Sequence, residues 1–147
     1  MSAGRVEGLW LKRAHRGPMD AVTEAVAVPG KGLANNVDRS SRRQITLLDQ
    51  ESWTRCLASV NGRADPSRRR ANVLLSGIAL AHTRGHVLRI GDVRIAIGGE
   101  LTPCERMEEV APGLQAALRP DWGGGVFGQV VDGGVIRVGD VVQLVPR

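Results

Sequence analysis

Tyrosine is absent from the sequence, phenylalanine occurs once, and the aromatic share is 3% even with three tryptophans. Proteins that hold single-stranded nucleic acid stack bases on aromatic side chains, so this scarcity argues against a nucleic-acid-binding module in spite of the net charge of +5. Cysteine occurs twice, too rarely for a disulfide framework and without the spacing of a zinc site or a ferredoxin-like cluster. No run of about 18 apolar residues is present, and "MSAGRVEGLWLKRAHRG" at the start has neither an apolar signal core nor a small-residue cleavage site. These absences describe a soluble, cytoplasmic protein in a reducing compartment, with no membrane partner. Lysine is also scarce: Lys12 and Lys31 stand against 18 arginines. Arginine suits planar, bidentate capture of phosphate or carboxylate, although a biased genome composition gives the same excess without functional content.

What is present is a chain of 147 residues, 42% of them hydrophobic, read as one domain over residues 1–147. A chain of that size buries about two thirds of its unfolded surface without metal or disulfide staples. Most of it reads as strand. Residues 6–11 and 21–28 are β-like runs joined by the turn-prone "HRGPMD", with Val22, Val26 and Val28 on one strand face. Residues 28–43, "VPGKGLANNVDRSSRR", are polar, Gly-rich and aperiodic, as a long surface loop would be. Residues 49–60 form the best helix: Asp49 is its N-cap, Glu51 lies in the first turn, and Trp53, Cys56, Leu57 and Val60 share one stripe before Gly62. "HVLRIGDVRIAI" reads as a hairpin turning at Gly91-Asp92, and "LRIGDV" is echoed by "IRVGDV" at 136–141. Between them, Asp132-Gly133-Gly134 bends "GVFGQVVDGGVIRV". Many short strands punctuated by glycine, one clear helix and a second broken at Pro112-Gly113 predict a mainly β, barrel-like fold with a few peripheral α-helices.

The two cysteines differ in setting. Cys56 lies on the apolar helical stripe and reads as a small buried hydrophobe. Cys104, in "ELTPCERMEEVAPGL", follows Pro103 at the start of a short helix. The helix start and Arg106 favour its thiolate, whereas Glu100, Glu105, Glu108 and Glu109 oppose it. Gly123, Gly125 and Gly128 satisfy G-x-G-x-x-G, but the continuation "VFGQVVDGG" is strand and turn, which rules out a dinucleotide fingerprint and leaves a glycine bend where something passes close to the backbone. His82 and His86 have no third ligand and no helix between them. His15 reads as solvated, and Ser76 lacks a G-x-S-x-G elbow. Two arginine groups, Arg39, Arg42 and Arg43 beside the long loop and Arg68, Arg69 and Arg70 before the strand at Asn72, read either as a solvated face or as a convergent oxyanion site.

Taken in order, "RRQITLL" before an acidic helix start, "RANVLLSGI", "LRIGDVRI", "PC", "PGL", "GGGVFGQV" and "GGVIRVGDVV" resemble the MOSC domain, the C-terminal domain of molybdenum cofactor sulfurases, over about residues 5–145. The resemblance implies a β-barrel-like MOSC fold of the stand-alone bacterial type. It also implies that Cys104 is a reactive thiol, carrying sulfur or ligating molybdenum, and that the molybdenum cofactor is the anionic partner. The R-x-N motif falls on Arg70 and Asn72, which become the phosphate and pterin contacts, with Arg43 as a second anion contact and Gly124 and Gly125 at the cofactor wall. The implied function is binding of molybdenum cofactor, or carriage of sulfur on Cys104, for delivery to a molybdoenzyme. The alternative is a cofactor-dependent oxidoreductase that reduces N-hydroxylated compounds with electrons from a separate donor protein. Nothing matches the lysine motif of a pyridoxal-phosphate domain, so that cofactor is not expected. The sequence departs from the family where many members read Gly-Asp-Arg in the long loop: here Asn35-Asn36-Val37 follow Gly32-Leu33-Ala34. Asn35 tolerates a left-handed conformation, which keeps the turn, while the carboxylate and arginine are lost. The resulting expectation is that Cys104, Arg70 and Asn72 line one cleft, with residues 123–125 at its wall and residues 39–43 at its rim.

Overall fold

The structure, a computed structural model, describes residues 3–37 and 40–146. Its frame is an eight-stranded sheet in the order β11-β7-β8-β9-β5-β6-β1-β2, and a further pairing of β11 with β1 closes seven of these strands into a barrel. The strands are β1 (Ala3–Lys12), β2 (Met19–Val22), β5 (Ile45–Asp49), β6 (Val73–Ser76), β7 (Val87–Ile90), β8 (Val93–Glu100), β9 (Val126–Asp132) and β11 (Val141–Val145). A separate small sheet consists of β3 (Glu24–Val28), β4 (Gly32–Leu33) and β10 (Gly134–Arg137), in the order β10-β3-β4. Closure leaves the seven barrel strands without a free edge, and β1 makes it possible by being long enough to serve β11, β6 and β2 in turn.

Two apolar clusters hold the frame. The barrel interior is filled by alternating side chains such as Val6, Leu9, Leu47, Val73, Leu88, Ile95 and Val142. The second cluster lies outside β5 and β6, where Leu48 and Leu74 meet Trp53, Cys56 and Leu57 of α1 (Gln50–Ser59), Met107 of α2 (Arg106–Val110), and Leu114 and Leu118 of α3 (Leu114–Leu118). β5 is buried on both faces, which is why "ITLLD" shows no polar alternation. Helix α1 begins as its sequence requires, with the Asp49 carboxylate accepting from the Ser52 amide at 3.0 Å. No helix is long and apolar enough to cross a membrane among the described residues.

Of the three-residue valine face expected at 22, 26 and 28, the structure keeps little. The chain changes sheets at Thr23, so the run splits into β2 and β3. In β3 it is Ala25 and Ala27 that face the core, while Val26 is 47% exposed. The small sheet packs close against the barrel, and alanine fits where valine would not. The echo "LRIGDV" and "IRVGDV" also divides. Gly91-Asp92 is the expected hairpin turn between β7 and β8, which pair Ile90 with Val93. Gly139-Asp140 instead carries the chain from β10 in the small sheet to β11 in the barrel, with the Asp140 carboxylate accepting from the Arg137 amide at 2.8 Å.

The β5 to β6 connection matters most for the site. These two strands are the parallel pair of the frame, and a parallel pair needs a crossover, supplied by α1 and a 3-10 turn at Pro66–Arg69. Residues just ahead of β5 and just ahead of β6 therefore reach the same end of the sheet. β1 runs antiparallel to β6, which brings Lys12 and the turn after it to that end as well.

Candidate functional site

A cleft of about 900 Å3 opens where these segments meet the chain leaving β8. Arg43 enters it from ahead of β5, and Arg68, Arg69 and Arg70 from ahead of β6. Lys12, His15 and Arg16 come from the end of β1 and its turn, while Thr102, Cys104, Arg106 and Glu109 come from the segment after β8. Among the described residues, the second arginine group seen in the sequence brings all three members to this space and the first brings Arg43 alone. Arg39 lies outside the described residues. Arg42 does not line the cleft; its guanidinium sits 5.2 Å from the Phe127 ring centre and that of Arg43 sits 5.0 Å from it. A cation over an aromatic face is held by the ring quadrupole, so the single phenylalanine of the chain positions Arg43.

Cys104 is exposed at this cleft and its carbonyl accepts the Met107 amide at 3.0 Å as α2 begins. Cys56 is its opposite: buried among α1 and α3, it donates from Sγ to the Ala117 carbonyl at 3.2 Å, and burial pushes its thiol pKa up. The contrast between the two cysteines read from the sequence is the one the fold builds. His82 and His86 make no metal pair: His82 meets Asp121 at 3.1 Å and His86 faces the Thr83 carbonyl. His15, read as a solvated side chain, is exposed but borders the cleft.

Arg70 and its neighbour Arg69 have opposite fates. Arg69 is 7% exposed and donates from Nε to the Gly124 carbonyl at 2.9 Å and from Nη2 to the Leu101 carbonyl at 2.7 Å. It fastens the segment after β8 to the barrel. Arg70 adopts a left-handed φ of 64°, and its own side chain lines the cleft without sharing the carbonyl partners of Arg69. One of its guanidinium nitrogens donates to the Gly17 carbonyl. A guanidinium has five N–H donors, so most of those on Arg70 remain for a ligand.

Asn72 does not line the cleft. It is 4% exposed, and all of its side-chain hydrogen-bonding capacity is directed inward. Its Oδ1 accepts from the Thr46 amide at 3.2 Å and the Thr46 hydroxyl at 3.1 Å. Its Nδ2 donates to the Trp10 carbonyl and to Asn36 Oδ1, both at 3.2 Å. Asn72 therefore ties β1, β5 and the long loop together at the start of β6. A contact of its side chain with pterin would require these bonds to break. Asn36, noted in the sequence only as part of the departure at residues 35–37, completes the knot by accepting from the Lys12 amide at 2.7 Å. Asn35 takes the left-handed turn with φ 64°, as expected, so the turn stands without a glycine.

Gly124 and Gly125 likewise lie behind the cleft. A Cβ on Gly125, which has φ 99°, would sit 2.2 Å from the Leu47 carbonyl oxygen, and one on Gly124 would sit 2.9 Å from that of Leu101 and 3.0 Å from the Arg69 guanidinium. What passes close to this glycine run is the chain's own backbone and Arg69. The glycines act on the site through the Arg69 tether and do not form its wall.

The electrostatics of the cleft are one-sided. Seven cationic side chains line it against one carboxylate, Glu109. The chain has 20 Lys and Arg and 15 Asp and Glu. Among the described residues, 11 cations and 13 carboxylates lie elsewhere, so the positive excess of the described chain is concentrated here. Other arginines have carboxylate partners, as in Arg13 with Asp20, Arg94 with Asp132 and Arg137 with Glu24. Among the described residues, Arg16, Arg43, Arg68, Arg70 and Arg106 have none. Genome bias would scatter arginine evenly. Five guanidiniums without a carboxylate partner gather around one thiol, an arrangement whose chemistry suits an anion.

A family model described as the MOSC domain matches residues 13–143. Among solved structures, the YuaD protein from Bacillus subtilis is similar with a TM-score of 0.84 and 19% identity, covering 100% of both chains. YiiM from Escherichia coli follows with a TM-score of 0.72 and 14% identity over 97% of this chain and 70% of that one. YiiM from Geobacillus stearothermophilus has a TM-score of 0.68 and 15% identity over 98% and 74%. At these identities the likeness is one of fold. No curated protein matches.

Proposed function

The chain belongs to the MOSC-domain family, and from that premise we propose that its cleft holds molybdenum cofactor, with Cys104 facing the metal or carrying sulfur for a molybdoenzyme. The observation that supports this most strongly is the set of uncompensated arginines around an exposed thiol. The donor set fits the group. Among the described residues no three His, Cys, Asp or Glu side chains are grouped to hold a bare metal ion. A metal bound at this site has to arrive with ligands of its own, leaving a coordination place for one soft donor, and a thiolate is that donor. In this reading Arg43 and Arg70 hold a terminal phosphate, and Arg16, Arg68 and Arg106 supply further charge. The cleft volume of about 900 Å3 lies in the range of small-molecule sites.

When bound, the cofactor would supply a thiophilic metal and its redox chemistry. The chain's own part is to capture the phosphate by charge, to fix the ligand by paired N–H donors, and to present one thiol. The same arrangement serves an oxidoreductase acting on N-hydroxylated compounds, provided a donor protein brings electrons. Expression in a cofactor-producing host, followed by metal analysis and assay of an N-hydroxylated base with an added reductase, tests both readings. About one molybdenum per chain without turnover supports a carrier; with turnover it supports an oxidoreductase. Molybdenum at background level would refute both.

A further inference from the structure

Arg69 stands in the 3-10 turn between Arg68 and Arg70, and all three line the cleft. The turn is braced on both sides: the Asp65 carboxylate accepts from the Ser67 amide at 2.9 Å, and the Arg70 amide donates to the Ser67 carbonyl at 2.9 Å. From this base the Arg69 guanidinium crosses to two other segments, bonding the Gly124 carbonyl ahead of β9 and the Leu101 carbonyl after β8. Charge-assisted bonds of this kind are about twice as strong as neutral ones.

Leu101 lies three residues ahead of Cys104. Its amide donates to the Gly125 carbonyl at 2.9 Å while its carbonyl accepts from Arg69, so the residue is held at both backbone groups. Thr102 and Pro103 follow outside any helix or strand, and proline has a fixed φ. Three Cα steps of about 3.8 Å limit the separation of Leu101 and Cys104 to about 11 Å. On its other side Cys104 leads into α2, whose Met107 is buried in the helical cluster. The thiol segment therefore has one anchor in that cluster and one in Arg69. Gly124 is matched to the second: a Cβ there would stand 3.0 Å from Arg69 Nη2 and 3.3 Å from Nε, so the glycine leaves the space that the guanidinium fills. Burying a charge is costly, and covering these backbones does not require one. What arginine adds is a rigid fork that fixes two carbonyls at once.

We propose that Arg69 is a positioning residue that sets the place of Cys104 relative to Arg68 and Arg70, acting through the Leu101 carbonyl. The proposal rests on the reading of thiol and cations as one site for one ligand, and it assigns the spacing between the two ends of that site to a single side chain.

A nitroxide attached to Cys104 through a methanethiosulfonate reagent reports the mobility of this segment, while buried Cys56 stays unlabelled. In cofactor-free protein, Arg69→Gln should shorten the rotational correlation time of the label at least about twofold in room-temperature electron paramagnetic resonance spectra, and Arg69→Lys, which keeps a donor for one carbonyl, should recover part of the loss. Gly124→Ala should loosen the label as well, and should add nothing when combined with Arg69→Gln, because both changes act on one contact. Val142→Ala destabilises the barrel from its interior and should leave the spectrum as in the wild type. Unchanged spectra in Arg69→Gln and Gly124→Ala, or equal loosening by Val142→Ala, would overturn the proposal. If Arg69→Gln does not fold, Arg69→Lys and Gly124→Ala carry the same comparison. In unlabelled protein loaded with cofactor, Arg69→Gln should lose on gel filtration the molybdenum that the wild type retains; full retention beside a loosened label would also overturn the positioning role. A wild type without molybdenum would sink the cofactor reading alone, because the spectra are recorded without cofactor and decide the role of Arg69 by themselves.

Discussion

Replacing Asn72 with alanine separates a structural residue from a ligand contact. The side chain is 4% exposed and forms four hydrogen bonds, to the Thr46 amide and hydroxyl, the Trp10 carbonyl and Asn36 Oδ1. Two of the partners can adapt: the Thr46 hydroxyl rotates, and Asn36 still accepts from the Lys12 amide. The Thr46 amide cannot, and the Trp10 carbonyl loses a donor. With about 1 kcal/mol net for each lost bond and about 1–3 kcal/mol for a buried group left unpaired, Asn72→Ala should cost about 3 kcal/mol. In a domain of this size each kcal/mol lowers Tm by about 2–4 °C, so the expected drop is about 6–12 °C. Asn72→Asp should do no better at neutral pH, because it keeps Oδ1 as acceptor for Thr46 but turns a second acceptor and a negative charge on the Trp10 carbonyl and Asn36. Far-UV circular dichroism during thermal and urea unfolding gives both numbers. A Tm for Asn72→Ala within about 1 °C of the wild type, together with weakened anion binding, would refute this account and return Asn72 to the ligand.

Native Cys104 should react with a neutral alkylating reagent within minutes while Cys56 stays unmodified until unfolding, and Cys104→Ser should abolish sulfur or metal chemistry while leaving Tm nearly unchanged; intact-mass spectrometry and calorimetry read these out. Because burial raises the Cys56 pKa above its ordinary 9.0, its contribution to stability is complete below that pH and declines as pH rises through the folded value. Cys56→Ala should remove that alkaline decline from urea midpoints measured between neutral and alkaline pH. The Glu108 carboxylate accepts from the Gln115 and Gly113 amides, in that order of influence, and these lower its pKa from the usual 4.5. Its support for the break between α2 and α3 is therefore present above that value and lost as pH falls below it through the lower folded value, so Glu108→Gln should flatten the acid limb of the stability profile. Gly125→Ala, with its Cβ 2.2 Å from a carbonyl oxygen, should prevent stable folding, whereas Gly30→Ala, at φ 76° with nothing within 4 Å, should cost only about 1 kcal/mol; equal effects on soluble yield and Tm would contradict the steric argument.

Helix α1 was legible because local signals agree on it: an N-cap at Asp49, an acidic first turn and an apolar stripe at helical spacing. The Gly91-Asp92 hairpin was legible because two residues fix the turn and the strands pair with each other. Gly139-Asp140 carries the same pair and Asp132-Gly133-Gly134 is equally turn-prone, but their strands pair elsewhere, and local sequence does not encode a partner. The β3 face misled because β propensity favours valine, whereas close packing of the small sheet selected alanine for the inside. Arg69 and Arg70 are chemically identical neighbours, and local sequence does not say that one is committed to the Gly124 and Leu101 carbonyls while the other, in a left-handed conformation, keeps most of its donors for the cleft. The R-x-N resemblance made Asn72 a ligand contact, and its place at the head of an apolar strand did not correct this, because a polar side chain there reads the same whether it serves a cofactor or three segments of backbone. The glycine run had the converse ambiguity: close approach was legible, but not that the approaching atoms belong to Leu47, Leu101 and Arg69.

The central claim is that the thiol and the arginines form a single site for one ligand. The most direct measurement is the rate at which a neutral reagent alkylates Cys104 in protein loaded with molybdenum cofactor, compared with the same protein freed of it. Occupancy of the cleft should slow the reaction at least about tenfold, and Arg43→Gln with Arg70→Gln should restore the fast rate as cofactor is lost. Protein that retains stoichiometric molybdenum while Cys104 reacts as fast as in the free form would contradict the account, because the cofactor would then lie somewhere other than the cleft.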